Sequence, residues 1–241
     1  MILQSRMNVL PPVVKNLMII NGLFYLGTVS VKKTFGIDLA DWLGLYFPGS
    51  QNFMPHQLVT HMFMHGSFGH VLSNMFMLWM FGKNMEGVWG GKRFLIYYFA
   101  TGLGASFLYL GVNAWEYFGT MNALGIDSIS AVDNGVINSL YNQGLRGSAE
   151  SLYKMQYVPM VGASGAVFGI LLAFGMTFPN QYIYLNFFLP MKAKYFVAAY
   201  GLFELYNSVN NTNSGIAHFA HLGGMLFGIL LILKWRRERY I

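Results

Sequence analysis

Charged side chains are absent from five long stretches of the chain: residues 16–31, 42–82, 94–115, 155–191 and 205–233. An α-helix needs a run of about 20 apolar residues to cross a bilayer. Two of the stretches exceed that length and carry their own breaks. Residues 42–82 hold Pro48, Gly49, Ser50, Gln51, Asn52 and Pro55 before an apolar half, so a loop precedes a helix there. Residues 155–191 are cut by Pro179, Asn180 and Gln181, which ends a helix near Thr177. The pattern predicts six helices at about 13–31, 67–82, 94–113, 163–178, 193–211 and 216–235. The runs are apolar on all sides instead of alternating, which argues against a closed β-barrel. The expected fold class is all-α: a polytopic membrane protein with a bundle of six transmembrane helices in one domain over residues 1–241.

Composition narrows the class further. Of 241 residues, 55% are hydrophobic and only 10% charged, against roughly 25% charged in a soluble domain. A disordered chain and an ordinary cytosolic enzyme are excluded, and with no cysteine so is a disulfide-built mini-protein. The basic residues divide unevenly over the six-helix map. Arg6, Lys15, Lys83, Lys92, Arg93, Lys192, Lys194, Lys234, Arg236, Arg237 and Arg239 fall on one side, and Lys32, Lys33, Arg146 and Lys154 on the other. Positive charge accumulates in the cytoplasm, so both termini are expected there. The net charge of +6 is thus a topology signal. It is spread over four cytoplasmic segments and does not suggest a nucleic-acid partner. Trp89 and Trp235 fall at the inner interface and Trp115 at the outer one. The first helix reads as retained, because it lacks a small-residue cleavage site and Lys32-Lys33 follow it directly. Two outer connections are long. Loop 32–66 is apolar (Trp42, Leu43, Leu45, Tyr46, Phe47) and is expected to lie in the membrane interface. Loop 114–162 is polar. No internal repeat is visible.

Polar groups inside a membrane helix are functional suspects. His56, His61, His65 and His70 cluster, and Asn74 follows His70 on the same helix face. They could simply tie helices together. A metal held by His61, His65 and His70 would lack the Glu of a His-Glu-x-x-His site and any nearby carboxylate, so no metal or cofactor is expected. Gly162-Ala163-Ser164-Gly165 opens the fourth helix. Such a patch permits close packing. It could equally present a serine nucleophile at a helix N-terminus, where backbone N–H groups can hold an oxyanion. That serine would need a base. His218 and His221 stand in the sixth helix, with His221 about one turn deeper. Gly224 and Gly228 follow His221 on nearly the same face, a seam that lets a neighbouring backbone approach. Glu204 is the only acid inside a predicted span. It is expected to anchor the fifth helix near the outer face, not to complete a triad.

Taken in order, four stretches resemble the rhomboid intramembrane serine proteases. They are His61-Met62-Phe63-Met64-His65-Gly66-Ser67-Phe68-Gly69-His70-Val71-Leu72-Ser73-Asn74, then Glu86 to Gly91, then Gly162-Ala163-Ser164-Gly165, then Ala220-His221-Leu222-Gly223-Gly224. The resemblance covers about residues 40–235. It implies a serine endopeptidase that hydrolyses peptide bonds in or next to transmembrane segments of membrane-protein substrates. By it, Ser164 is the nucleophile and His221 the general base of a Ser–His dyad. His70, Asn74 and the Ser164 backbone N–H form the oxyanion hole. Phe168 stacks on the catalytic histidine, His61 and His65 organise the start of the second helix, and Glu86 is structural. Gly162, Gly165, Gly224 and Gly228 are the supporting small residues. The family often has a Trp-Arg pair in the first loop; here Leu43 follows Trp42, and Gln57 stands near the expected arginine. Loop 114–162 is longer than a minimal member needs. The implied partners are transmembrane substrates and the lipid bilayer. With no transit peptide visible, the expected location is a bacterial inner membrane, with the site opening to the extracytoplasmic side. Two rivals lose ground on the residues. A catalytically dead relative typically lacks the serine or the histidine, and a proton-coupled transporter should carry more intramembrane acids and a repeat.

Overall fold

The computed structural model describes residues 10–185, 189–210 and 215–238. Helix α1 (Pro12–Phe35) starts on Pro12, whose missing N–H is not needed in the first turn, and ends on Gly36 in the left-handed conformation. Two short helices, α2 (Ala40–Leu43) and α3 (Gln57–Thr60), shape the connection that follows. Helix α4 (Phe68–Met77) is capped by Ser67, whose hydroxyl accepts from the His70 N–H. It continues through a π-helical turn, Leu78–Gly82, into α5 (Lys83–Trp89). Then come α6 (Gly91–Leu124), α7 (Asn134–Asn142), α8 (Arg146–Tyr157), α9 (Ser164–Thr177), α10 (Ala193–Asn210) and α11 (Gly215–Arg237). A hairpin of β1 (Tyr182–Leu185) and β2 (Leu189–Lys192), pairing Tyr182 with Lys192, separates α9 from α10. A helix occupies each of the six predicted stretches. Among the described residues, α1, α6 and α11 from His218 onward are long and apolar enough to cross a membrane, which marks a membrane protein.

Helix α9 is the centre. Every side chain from Gly165 to Gly175 is buried, as expected for a helix apolar all round. Small residues bring its neighbours close. Tyr97 of α6 donates its hydroxyl proton to the Gly169 carbonyl at 2.9 Å. A Cβ on Gly169 would meet Thr101 of α6, and one on Gly165 would meet Ala105. Helix α11 wedges against both: a Cβ on Gly224 would collide with the Gly165 carbonyl of α9, and one on Gly228 with the Tyr97 hydroxyl of α6. The glycine seam therefore faces two helices.

Three expectations need correction. Residues 114–162 are not a loop. Helix α6 runs on to Leu124 and, with α7 and α8, closes a second apolar cluster around Tyr117, Met121, Ile137, Leu140, Leu152 and Met155. Tyr117 and Met121 recur at helical spacing, so burying their side requires the helix to continue. The class is not purely α, because of the β1–β2 hairpin. Trp89 and Trp235, expected in an interface belt, are buried and pack edge to face at 5.5 Å. Trp115, by contrast, is 87% exposed.

The connection 32–66 is folded onto the protein. Leu45 pairs with Met160 through two backbone hydrogen bonds, Leu45 N–H to Met160 at 2.9 Å and Met160 N–H to Leu45 at 2.8 Å. The Ser50 hydroxyl donates to the Gln156 carbonyl at 2.8 Å. Leu45 and Tyr46 are buried, while Trp42 remains exposed.

Candidate active site

Ser164 is the first residue of α9, after a turn that its neighbours hold in place. Gly162 has φ +129°, a conformation that favours glycine. The Gly162 N–H donates to the His61 carbonyl at 2.9 Å. The His61 ring is buried between the Gln57 carbonyl, 2.8 Å from Nδ1, and the Ser106 hydroxyl, 3.0 Å from Nε2. So His61 ties the serine turn to α3 and α6. Side-chain bulk is excluded at Gly162, because a Cβ would lie 2.8 Å from Cε1 and Nε2 of His70. The His70 ring thus covers the turn just before Ser164.

His221 reaches the serine from α11. Its Nε2 lies 2.9 Å from Ser164 Oγ. Phe168, one turn after Ser164, stacks on the imidazole with centroids 4.1 Å apart and planes 4° from parallel. Tyr200 of α10 stacks behind Phe168 at 5.3 Å. Ser164, His70 and His221 are all only partly buried.

Asn74 lies buried on α4, and its amide nitrogen has no hydrogen-bond partner among the described residues. His65 packs edge to face on His70 at 5.0 Å, with Nδ1 3.3 Å from the Phe63 carbonyl and Nε2 unpartnered among the described residues. His56 stands apart, against the Trp42 carbonyl. Glu86 is buried. Its carboxylate accepts from the Val13 and Val14 N–H groups at 3.0 and 2.7 Å and caps the start of α1, a favourable place for an anion.

Glu204 departs from expectation. Instead of only anchoring α10, it sets Oε2 2.9 Å from Nδ1 of His221 and 2.5 Å from Nδ1 of His218. A carboxylate therefore stands directly behind the Ser164–His221 pair, where a bare dyad was expected. The signal was present in part, since Glu204 is an isolated acid and His218 is one turn from His221. What the sequence lacks is the helix pairing that brings position 204 back to 221. Ligand atoms of Glu204, His218 and His221 lie within 4.8 Å of one another, close enough for a cation to span. Each is already engaged in a hydrogen bond, and a metal on Nδ1 of His221 would displace Glu204 from it.

Chemically, the arrangement sets a hydroxyl against an imidazole at a helix N-terminus, which is what nucleophilic attack on a carbonyl requires. A family model described as Rhomboid domain matches residues 52–238. RHOMBOID-like protein 12, mitochondrial, from Arabidopsis thaliana is 28% identical over 188 residues, 77% of this chain and 48% of that protein. The chain spans about half the length of that relative.

Proposed function

The chain belongs to the rhomboid family, and from that premise we propose that it is an intramembrane serine endopeptidase acting on transmembrane segments of other proteins. The observation that carries this reading is the 2.9 Å approach of His221 Nε2 to Ser164 Oγ. Ser164 attacks a peptide carbonyl while His221 accepts the hydroxyl proton. The proton passes from Nε2 to the leaving amine as the peptide C–N bond breaks, and water then hydrolyses the acyl-enzyme by the same route. The Ser164 N–H, Asn74 Nδ2 and the His70 ring are the proposed donors to the oxyanion. Asn74 suits this because its amide nitrogen is buried and unpartnered among the described residues.

On the same reading the six helical stretches are six spans and both termini are cytoplasmic, which the uneven division of the basic residues supports. Helix α9 has 14 residues, about 21 Å, against a hydrocarbon core of about 30 Å. A helix this short leaves Ser164 below the outer surface, in a recess that polar side chains keep wet. Water is a reactant, so the depth must remain hydrated. A groove of about 640 Å³ between residues 76–84, β1 and α10, lined by Phe76, Trp79, Lys83, Phe174, Tyr182 and Tyr200, is the proposed route for the substrate segment. Tyr200 joins that groove to Phe168 and so to His221. An intact helix keeps its carbonyls in hydrogen bonds, so the substrate must unwind at the cut, favouring small or helix-breaking residues there.

A fluorophosphonate probe tests the nucleophile. We expect one adduct, on Ser164, abolished by Ser164→Ala and strongly reduced by His221→Ala. An adduct elsewhere, with Ser164 unmodified, would sink the reading.

A further inference from the structure

We propose that Glu204 is a positioning residue for His221, so that this chain works as a Ser–His–Glu arrangement with His218 holding the carboxylate in turn. This rests on the serine-protease reading above. Neutral imidazole has two tautomers, and only the one with its proton on Nδ1 leaves a lone pair on Nε2 to take the proton of Ser164. Stacking on Phe168 fixes the plane of the His221 ring. It does not fix which ring edge faces the serine, because a 180° flip about the Cβ–Cγ bond restores the same plane. An ionised carboxylate only accepts hydrogen bonds. Glu204 Oε2, 2.9 Å from Nδ1, therefore selects the Nδ1–H tautomer and turns Nε2 towards Ser164 Oγ.

The same contact acts during turnover. When the Ser164 proton moves to Nε2, the ring becomes a cation beside a buried carboxylate. The carboxylate stabilises that charge and stays ionised throughout. His218 donates from Nδ1 to the same oxygen at 2.5 Å, which stops the carboxyl group from swinging away. An anchoring role for Glu204 would be met by His218 alone and would not require the bond to His221.

The replacement Glu204→Gln keeps an acceptor oxygen and the side chain's shape but removes the charge. We expect kcat on a transmembrane reporter to fall by roughly 10²-fold or more, with KM held within about threefold. Glu204→Asp should recover part of that loss. ¹⁵N-histidine spectra of the unaltered protein should show His221 protonated at Nδ1 when neutral. A Glu204→Gln kcat within about threefold of wild type would overturn the proposal, and so would an Nε2-protonated His221 in the unaltered protein. Cleavage that persists in Ser164→Ala would instead remove the protease reading beneath it, so the two failures are distinguishable. If Glu204→Gln does not fold, the spectrum of the unaltered protein still decides.

Discussion

Asn74 keeps a buried amide nitrogen without a partner among the described residues. A donor that no protein group occupies is available to an incoming oxyanion. Asn74→Ala should therefore slow cleavage by roughly 10²–10³-fold, the usual loss for one oxyanion donor. Its thermal midpoint in detergent should stay the same or rise. A large fall in midpoint with unchanged kcat would assign Asn74 to the fold instead. Gln57 shows the opposite economy. Its Oε1 accepts from the Tyr46 and Met54 N–H groups, and its Nε2 donates to the Trp42 and Asn52 carbonyls. One neutral amide holds the whole turn near the position where an arginine was expected. Gln57→Ala should cost about 2–4 kcal/mol, read by chemical unfolding, because it strands several backbone groups. At this scale the sequence showed which residues were anomalous, including Glu204 and the histidines. It could not show which anomalies touch, because those contacts join residues 17 and 57 positions apart.

Among the elements, the contact of α9 with α11 sets the distance between Ser164 and His221. Gly224 meets the Gly165 backbone, which cannot rotate aside as a side chain can. Gly224→Ala is expected to lower stability by about 1–3 kcal/mol or more and to lose cleavage with it. Gly22→Ala in α1, where nothing lies within 4 Å, should be neutral or stabilising. Thermal melts of the two variants make the comparison. His61, in the connection before α4, gives a pH prediction. Burial holds its pKa down at about 4, against about 6.5 in an unfolded chain. The unfolded state thus binds the extra proton between those values, and stability falls as pH drops from about 6.5 towards 4. The melting midpoint should follow that slope, and His61→Gln should flatten it. The apolar runs were legible because lipid demands a continuous apolar surface. The helices of residues 114–162 were not, because their apolar positions face other protein and are interrupted by polar ones.

The whole molecule carries one long axis beyond its membrane part. At 34 residues, α6 is about 51 Å long, roughly 20 Å more than a hydrocarbon core. The excess, with α7 and α8, builds the cap that the first connection packs against. If the basic residues set the orientation as proposed, this cap lies outside the cytoplasm. The absence of cysteine makes that testable. Gln143→Cys should react with an impermeant maleimide on intact cells, and Glu238→Cys only after permeabilisation. The reverse pattern would invert the topology.

The central claim is that Ser164 and His221 cut membrane-embedded peptide bonds. Its most direct measurement is cleavage of a purified transmembrane reporter by the purified, reconstituted protein, with the cut mapped by mass spectrometry. Wild-type protein should cut at one position in or next to the membrane segment, and Ser164→Ala and His221→Ala should leave the reporter intact. Equal cleavage by Ser164→Ala would contradict the account.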